Sequence, residues 1–298
     1  MTIFIQVVMP VLLIFLLGYG IQKWKRLDIR PLSTVAIYIF TPLLVFQTFY
    51  RAELNKQYAI MVLFSALLLI ALIIVNKIYC KIRKHDSSVE SGLILSTAFM
   101  NSGNYGAPIV LFAYGNTGFA YAVSFLVLQA IIMNFFGIYY AARGKAGFKF
   151  ALKAVFEMPP TYAVIIALIL NLGGIKVPEN ILSAVDLVGP ATIPLVMVIL
   201  GMQLAEIKLT NMELDKISFG VIARLFLSPI IAFGIILLIP MDPILQKVLI
   251  LSAAMPSAAT TVLYAVQFDT EPELVSSITL ITTLISIFSI TTLLIILG

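Results

Sequence analysis

Residues 94–112 read ILSTAFMNSGNYGAPIVLF, and this stretch decides how the rest of the chain is read. Asn101, Gly103, Asn104, Tyr105, Gly106 and Pro108 interrupt a segment that is otherwise apolar. The interruption falls in the run 91–142, which contains no Asp, Glu, Lys or Arg. Two glycines, two asparagines and a proline break a helix at a cost. In lipid, freed backbone groups survive only where protein encloses them or where they line a cavity. The stretch has an echo at 249–266, LILSAAMPSAATTVLYAV, and LILS itself stands at 93–96 and again at 249–252. Matching breaks in the two halves of a chain point to a transporter binding site.

Composition agrees with a membrane setting. Hydrophobic residues make up 61% of the 298 residues and charged residues 11%, against about a quarter charged in soluble domains. Apolar spans of roughly 20 residues recur throughout, which is the length that crosses a bilayer. The single cysteine, Cys80, excludes an intramolecular disulfide. The single histidine, His85, lies in the basic segment KIRKHD, so a His/Cys metal site or a His-based triad has little to build on. No metal, no cofactor and no catalytic residue is expected, and no HExxH or GxxxxGK[ST] motif occurs. The net charge of +5 comes from loop lysines and arginines and does not argue for nucleic acid.

The expected fold is an all-α polytopic membrane protein of ten spans. They cover roughly 3–22, 30–50, 57–80, 89–115, 118–142, 159–174, 179–205, 216–240, 243–268 and 273–297. The N-terminal apolar segment lacks a basic leader and reads as the first span. Residues 1–142 and 159–298 then form two five-helix repeats, with a basic linker at 143–158. In that linker Lys145, Lys149 and Lys153 alternate with Phe148, Leu152 and Phe156, which suits an interfacial helix or a plain connection. Lys and Arg cluster after spans one, three, five and seven, so these loops are placed in the cytoplasm and both termini outside, in a cell membrane. With five spans per half, the second repeat is inverted, and the discontinuous helices four and nine cross near mid-membrane. Apolar outer surfaces leave a homo-oligomer open.

Several residues then carry the functional reading. Half-helix N-termini suit an anion, and Pro108 and Pro256 are expected near the start of the second half-helices. Gly103 and Gly106 let the backbone approach a ligand, while Asn101 and Asn104 offer amide donors. Ser257, Thr260 and Thr261 offer smaller polar groups from the second break. Tyr105 and Tyr264 either gate a substrate or belong to the core. Gln47, Gln129 and Asn134 either line the pathway or join helices to one another. Arg224, about 12 Å past Lys216 along a helix, either meets an anion or extends to the cytoplasmic surface, and the second reading is preferred. Asp186 is either a carboxylate for proton or sodium coupling or a hydrated group at the outer mouth.

The motif NSGNYGAP at 101–108 and the looser AMPSAATTV at 254–262 resemble the auxin efflux carrier family. That family includes plant auxin exporters and bacterial malate and malonate permeases, and the resemblance covers essentially the whole chain. It implies an inverted five-plus-five fold with a scaffold part and a transport part, like the crossed-helix arrangement of bile-acid symporters and sodium-proton antiporters. It also implies an organic anion, a mono- or dicarboxylate, bound at the crossing by Asn101, Asn104, Pro108, Pro256 and the segment 257–261. A sodium-coupled carrier and a transport-inactive sensor of the same fold are the rival readings. The chain departs from the family at the ninth-span break, which has Ser257, Thr260 and Thr261 where an asparagine is common. It also opens its sixth span with Met158, Pro159 and Pro160 instead of Asn-Pro.

Overall fold

The computed structural model describes residues 4–52, 56–142, 156–157, 159–206 and 213–298. The described residues are helical apart from turns and short extended pieces, and among them there is no strand. In chain order the helices are α1 (Phe4–Lys25), α2 (Ile29–Tyr50), α3 (Lys56–Arg83), α4 (Ser87–Ala98), α5 (Ser102–Ala141) and α6 (Pro159–Leu172). They continue with α7 (Glu179–Val188), α8 (Thr192–Glu206), α9 (Leu214–Leu238), α10 (Pro243–Ala253), α11 (Ala259–Phe268) and α12 (Pro272–Leu297). Seven helical stretches among the described residues are long and apolar enough to cross a membrane, α7 and α8 counting as one. The expected linker helix lies outside the described residues apart from Phe156 and Glu157.

Helix α5 is too long for one crossing. Its forty residues would span about 60 Å, twice the hydrocarbon core. It turns at Gly115, whose φ of 64° and ψ of −161° suit glycine alone. The two broken elements start alike. Asp86 caps α4 by accepting from the Ser88 and Val89 N–H groups, and Asp242 caps α10 by accepting from Ile244 and Leu245. These aspartates stand the same distance apart in the chain as the two LILS copies.

Contacts between helix ends sort the chain into two ends of the molecule. At one end Gln22 reaches Glu206 at 2.6 Å, Arg83 pairs with Asp215 at 2.8 Å and Thr270 donates to the Ala141 carbonyl. At the other, Arg51 pairs with Asp186 at 2.7 Å, the Asn171 amide donates to Phe49, Tyr50 and Ala52 carbonyls, and Gln57 accepts from the Asp242 N–H. The C-terminal Gly298 accepts from Lys247 near this second end.

Packing divides the helices into two groups. In the first, α1 lies along α8 and α2 lies along α6 and α7. The α1–α8 crossing is backbone-close: a Cβ on Gly18 would collide with the Val198 carbonyl, and one on Gly201 with the Phe15 carbonyl. In the second, α3, α4, α5, α9, α10, α11 and α12 pack around a core that includes Phe64, Phe99, Phe125 and Leu249. The groups meet where α2 and α8 face α5 and where α1 packs on α5 and α12.

Candidate functional site

The two breaks meet as a short antiparallel pair. Residues Phe99–Asn101 and Pro256–Ala258 run extended, with Met100 opposite Ser257. The Asn101 N–H donates to the Pro256 carbonyl at 2.8 Å, and the Ala258 N–H to the Phe99 carbonyl at 3.0 Å. The Ser257 N–H donates to Thr282 Oγ1 on α12 at 3.3 Å. The breaks thus satisfy most of their own backbone polarity inside the protein, which lipid requires.

Four half-helix ends converge on this pair. On one side the C-terminal ends of α4 and α10 meet at Arg224, which stands in a π-helical turn of α9. Arg224 is 0% exposed. One terminal nitrogen donates to the Thr97 carbonyl at 2.5 Å, and the other to Ser228 Oγ at 2.5 Å and to the Ala253 carbonyl. Ser228 donates to the same Ala253 carbonyl at 2.8 Å. A cation suits the negative ends of two helix dipoles. This corrects the preferred surface-reaching reading: the depth along α9 is as expected, but the side chain turns inward to the crossing. Arg224 lines none of the cavity described next.

On the other side the N-terminal ends of α5 and α11 open onto a cavity of about 160 Å³. The Ser102 and Thr261 N–H groups bond back to Met100 and Ala258, whereas those of Gly103, Asn104, Ala259 and Thr260 have no partner among the described residues. Asn101, Gly103, Asn104, Pro108 and Thr260 line the space, as does Gln129 from the returning arm of α5. Thr41 and Leu44 of α2 and Thr192, Ile193 and Val196 of α8 close the opposite wall. The cavity therefore lies between the two helix groups. The Asn101 side chain is 6% exposed, and its Nδ2 has no hydrogen-bond partner. An orphaned buried donor costs free energy unless a ligand or water meets it.

Other predicted residues lie elsewhere. Tyr105 is buried behind the wall, its hydroxyl 3.0 Å from Ser286 Oγ and its ring against Phe15. Pro256 and Ser257 are spent in the extended pair, and Ser257 Oγ accepts from Thr279 at 3.2 Å. Thr261 caps its own helix by donating to the Ala258 carbonyl at 2.7 Å. Both prolines lie near the start of a second half-helix: Pro108 stands in the first α-helical turn of α5, after the π turn from Ser102, and Pro256 lies three residues before α11. Pro108 withholds an N–H from the carbonyls of Gly103 and Asn104 a turn earlier. Asn134 borders a neighbouring space of about 90 Å³ and accepts from the Tyr264 hydroxyl at 2.6 Å. Gln47 and Asp186 form an outlying cluster with Arg51, where the Asp186 side chain is 39% exposed. Sequence reasoning missed Thr192, which is 3% exposed with an unpartnered hydroxyl. Its only signal was a Gly-Pro pair at 189–190, marking a further interrupted helix.

A family model described as membrane transport protein matches residues 3–147 and 142–294 of the chain. The chain belongs to the membrane transport protein family. The resemblance to the auxin efflux carriers is thereby borne out. Two archaeal relatives align along nearly their whole lengths. One, from Methanothermobacter thermautotrophicus, is 29% identical over 96% of this chain and 95% of its own. The other, from Methanocaldococcus jannaschii, is 28% identical over 96% of each. Both are named uncharacterized transporters. The chain is a multi-pass membrane protein of a transporter family.

Proposed function

We propose that the protein is a secondary-active carrier of a small organic anion, a mono- or dicarboxylate, bound where the broken helices cross. One observation carries this reading: two half-helix N-termini and the unpartnered Asn101 amide converge on a cavity between two helix groups. Free N–H groups at positive dipole ends are the chemistry that holds a carboxylate. A site between two groups of helices is also where alternate opening to either side is arranged.

The topology belongs to the same proposal. Ten spans form two inverted five-helix repeats, with α4–α5 and α10–α11 as the crossed elements and both termini on the non-cytoplasmic side. The like Asp caps at 86 and 242 support the repeat. The gathering of basic loop ends such as Lys23 and Arg83 at one end of the molecule, with Gly298 at the other, supports the orientation.

The test is counterflow in proteoliposomes loaded with one acid at a time: lactate, malonate, malate or indole-acetate, each with and without a sodium or pH gradient. Saturable exchange is expected for at least one acid. Asn101→Ala is expected to weaken its binding about 10- to 100-fold, the worth of a hydrogen bond to a charged group. Stability should stay unchanged, because the removed amide nitrogen bonds nothing in the fold. Folded protein that exchanges none of the acids refutes the proposal.

A further inference from the structure

We infer that the cavity is built for a short monocarboxylate bearing a second, uncharged polar group, and that Thr192 on α8 reads that group. This rests on the carrier reading and narrows it.

The charge of the substrate follows from what surrounds it. Among the described residues, no Asp, Glu, Lys, Arg or His lines the cavity. One carboxylate is accommodated at the paired N-termini of α5 and α11 with the Asn101 amide. A second meets only neutral polar groups, those of Thr41, Gln129, Thr192 and Thr260 among them, in a lining that is otherwise largely apolar. A charge buried without a partner is strongly disfavoured. Arg224 is the one charged residue among the buried described residues, and its guanidinium is taken up by the α4 and α10 ends on the other side of the pair.

Size is in keeping with a small acid: the cavity is about 160 Å³, several times the roughly 30 Å³ share of one water.

The second polar group follows from Thr192. A threonine at a helix start ordinarily turns its hydroxyl onto the helix's own N–H groups. Here the Thr192 backbone N–H bonds to the Gly189 carbonyl at 3.1 Å, but Oγ1 is buried and bonds nothing. The hydroxyl borders the same cavity as the orphaned Asn101 Nδ2, from the opposite helix group. Two unpartnered polar atoms on facing walls describe a ligand that is polar at both ends and charged at one, as a 2-hydroxy or 2-oxo acid is.

The experiment is titration calorimetry on the full chain in detergent with propionate, lactate and malonate, run on the native protein, Thr192→Val and Thr192→Ser. Lactate is expected to bind about 3- to 10-fold tighter than propionate, the worth of one neutral hydrogen bond, and malonate to bind weakest. Thr192→Val should bring lactate down to the level of propionate and leave propionate unchanged, while Thr192→Ser keeps the preference. Val matches Thr in shape, and the lost hydroxyl has no role in the fold, so loss of folding is not expected. Malonate binding tighter than lactate overturns the inference, as does equal weakening of lactate and propionate by Thr192→Val. If counterflow finds a transported acid while none of these three binds, the inference falls and the carrier reading stands. Silence in both assays removes the carrier reading itself.

Discussion

Replacing Arg224 with Met tests what joins the two broken helices. The substitution keeps an unbranched, apolar stem and removes the guanidinium. The Thr97 carbonyl then loses its donor, whereas the Ala253 carbonyl keeps Ser228 at 2.8 Å. An unsatisfied buried acceptor costs about 1–3 kcal/mol, and each helix end losing a nearby cation costs a further ~0.3–1 kcal/mol. Relief of a buried ion without a carboxylate partner, whose Nε also lacks an acceptor, offsets part of this. The net expectation is a loss of about 1–3 kcal/mol. The sharper expectation concerns Ser228→Ala. With Arg224 present, that change strips one guanidinium N–H of its acceptor while the Ala253 carbonyl keeps a donor, and the cost is about 1–3 kcal/mol. In the Arg224→Met background it strips the Ala253 carbonyl bare instead, at a similar cost of about 1–3 kcal/mol. Both are measured by equilibrium unfolding in mixed micelles. A loss below about 0.5 kcal/mol in either background would show that Ser228 does not stand between Arg224 and the Ala253 carbonyl and refute the bridging geometry.

Gly201→Ala places a Cβ against the Phe15 carbonyl, which is backbone and cannot yield. A stability loss of about 1–3 kcal/mol is expected, with lower yield of monodisperse protein. Gly103→Ala is the matched control, because its Cβ meets only the movable Leu126 side chain at 2.8 Å. Asp186→Asn breaks an ion pair whose side chains are 53% and 39% exposed, so unfolding should shift by less than about 1 kcal/mol and transport should persist. Tyr105→Phe removes the bond to Ser286 and should cost about 0.5–1.5 kcal/mol, with the half-saturation concentration for substrate unchanged.

The breaks themselves were legible in the chain, because glycine, asparagine and proline at membrane depth admit few other readings. The LILS echo located the second break, and the Asp caps later found at 86 and 242 extend the same register. Direction around the helix axis was not legible. Arg224 sits at the anticipated depth, but in a chain apolar on almost every face no polar stripe says which side is inward. The roles within each break were also beyond reach. Asn101 and Thr260 border the cavity while Ser257 and Thr261 are consumed by local bonds, a division made by the antiparallel pairing of 99–101 with 256–258. Thr192 escaped notice for a related reason: an unsatisfied hydroxyl is a property of its neighbours, and threonine is otherwise common in such spans.

The glycine pair between α1 and α8 has a mechanical consequence. With Gly18 seated on the Val198 backbone and Gly201 on that of Phe15, each helix is notched into the other. Sliding by one turn, about 5.4 Å, would bring a side chain of the same face, such as Phe15 or Ala205, into a gap that admits none. The two helices therefore keep a fixed register, and any displacement that opens the cavity has to be taken up at the faces where α1, α2 and α8 meet α5 and α12. A pair of distance probes on α1 and α8 would serve as a ruler of constant length, against which a second pair spanning α8 and α5 registers the stroke.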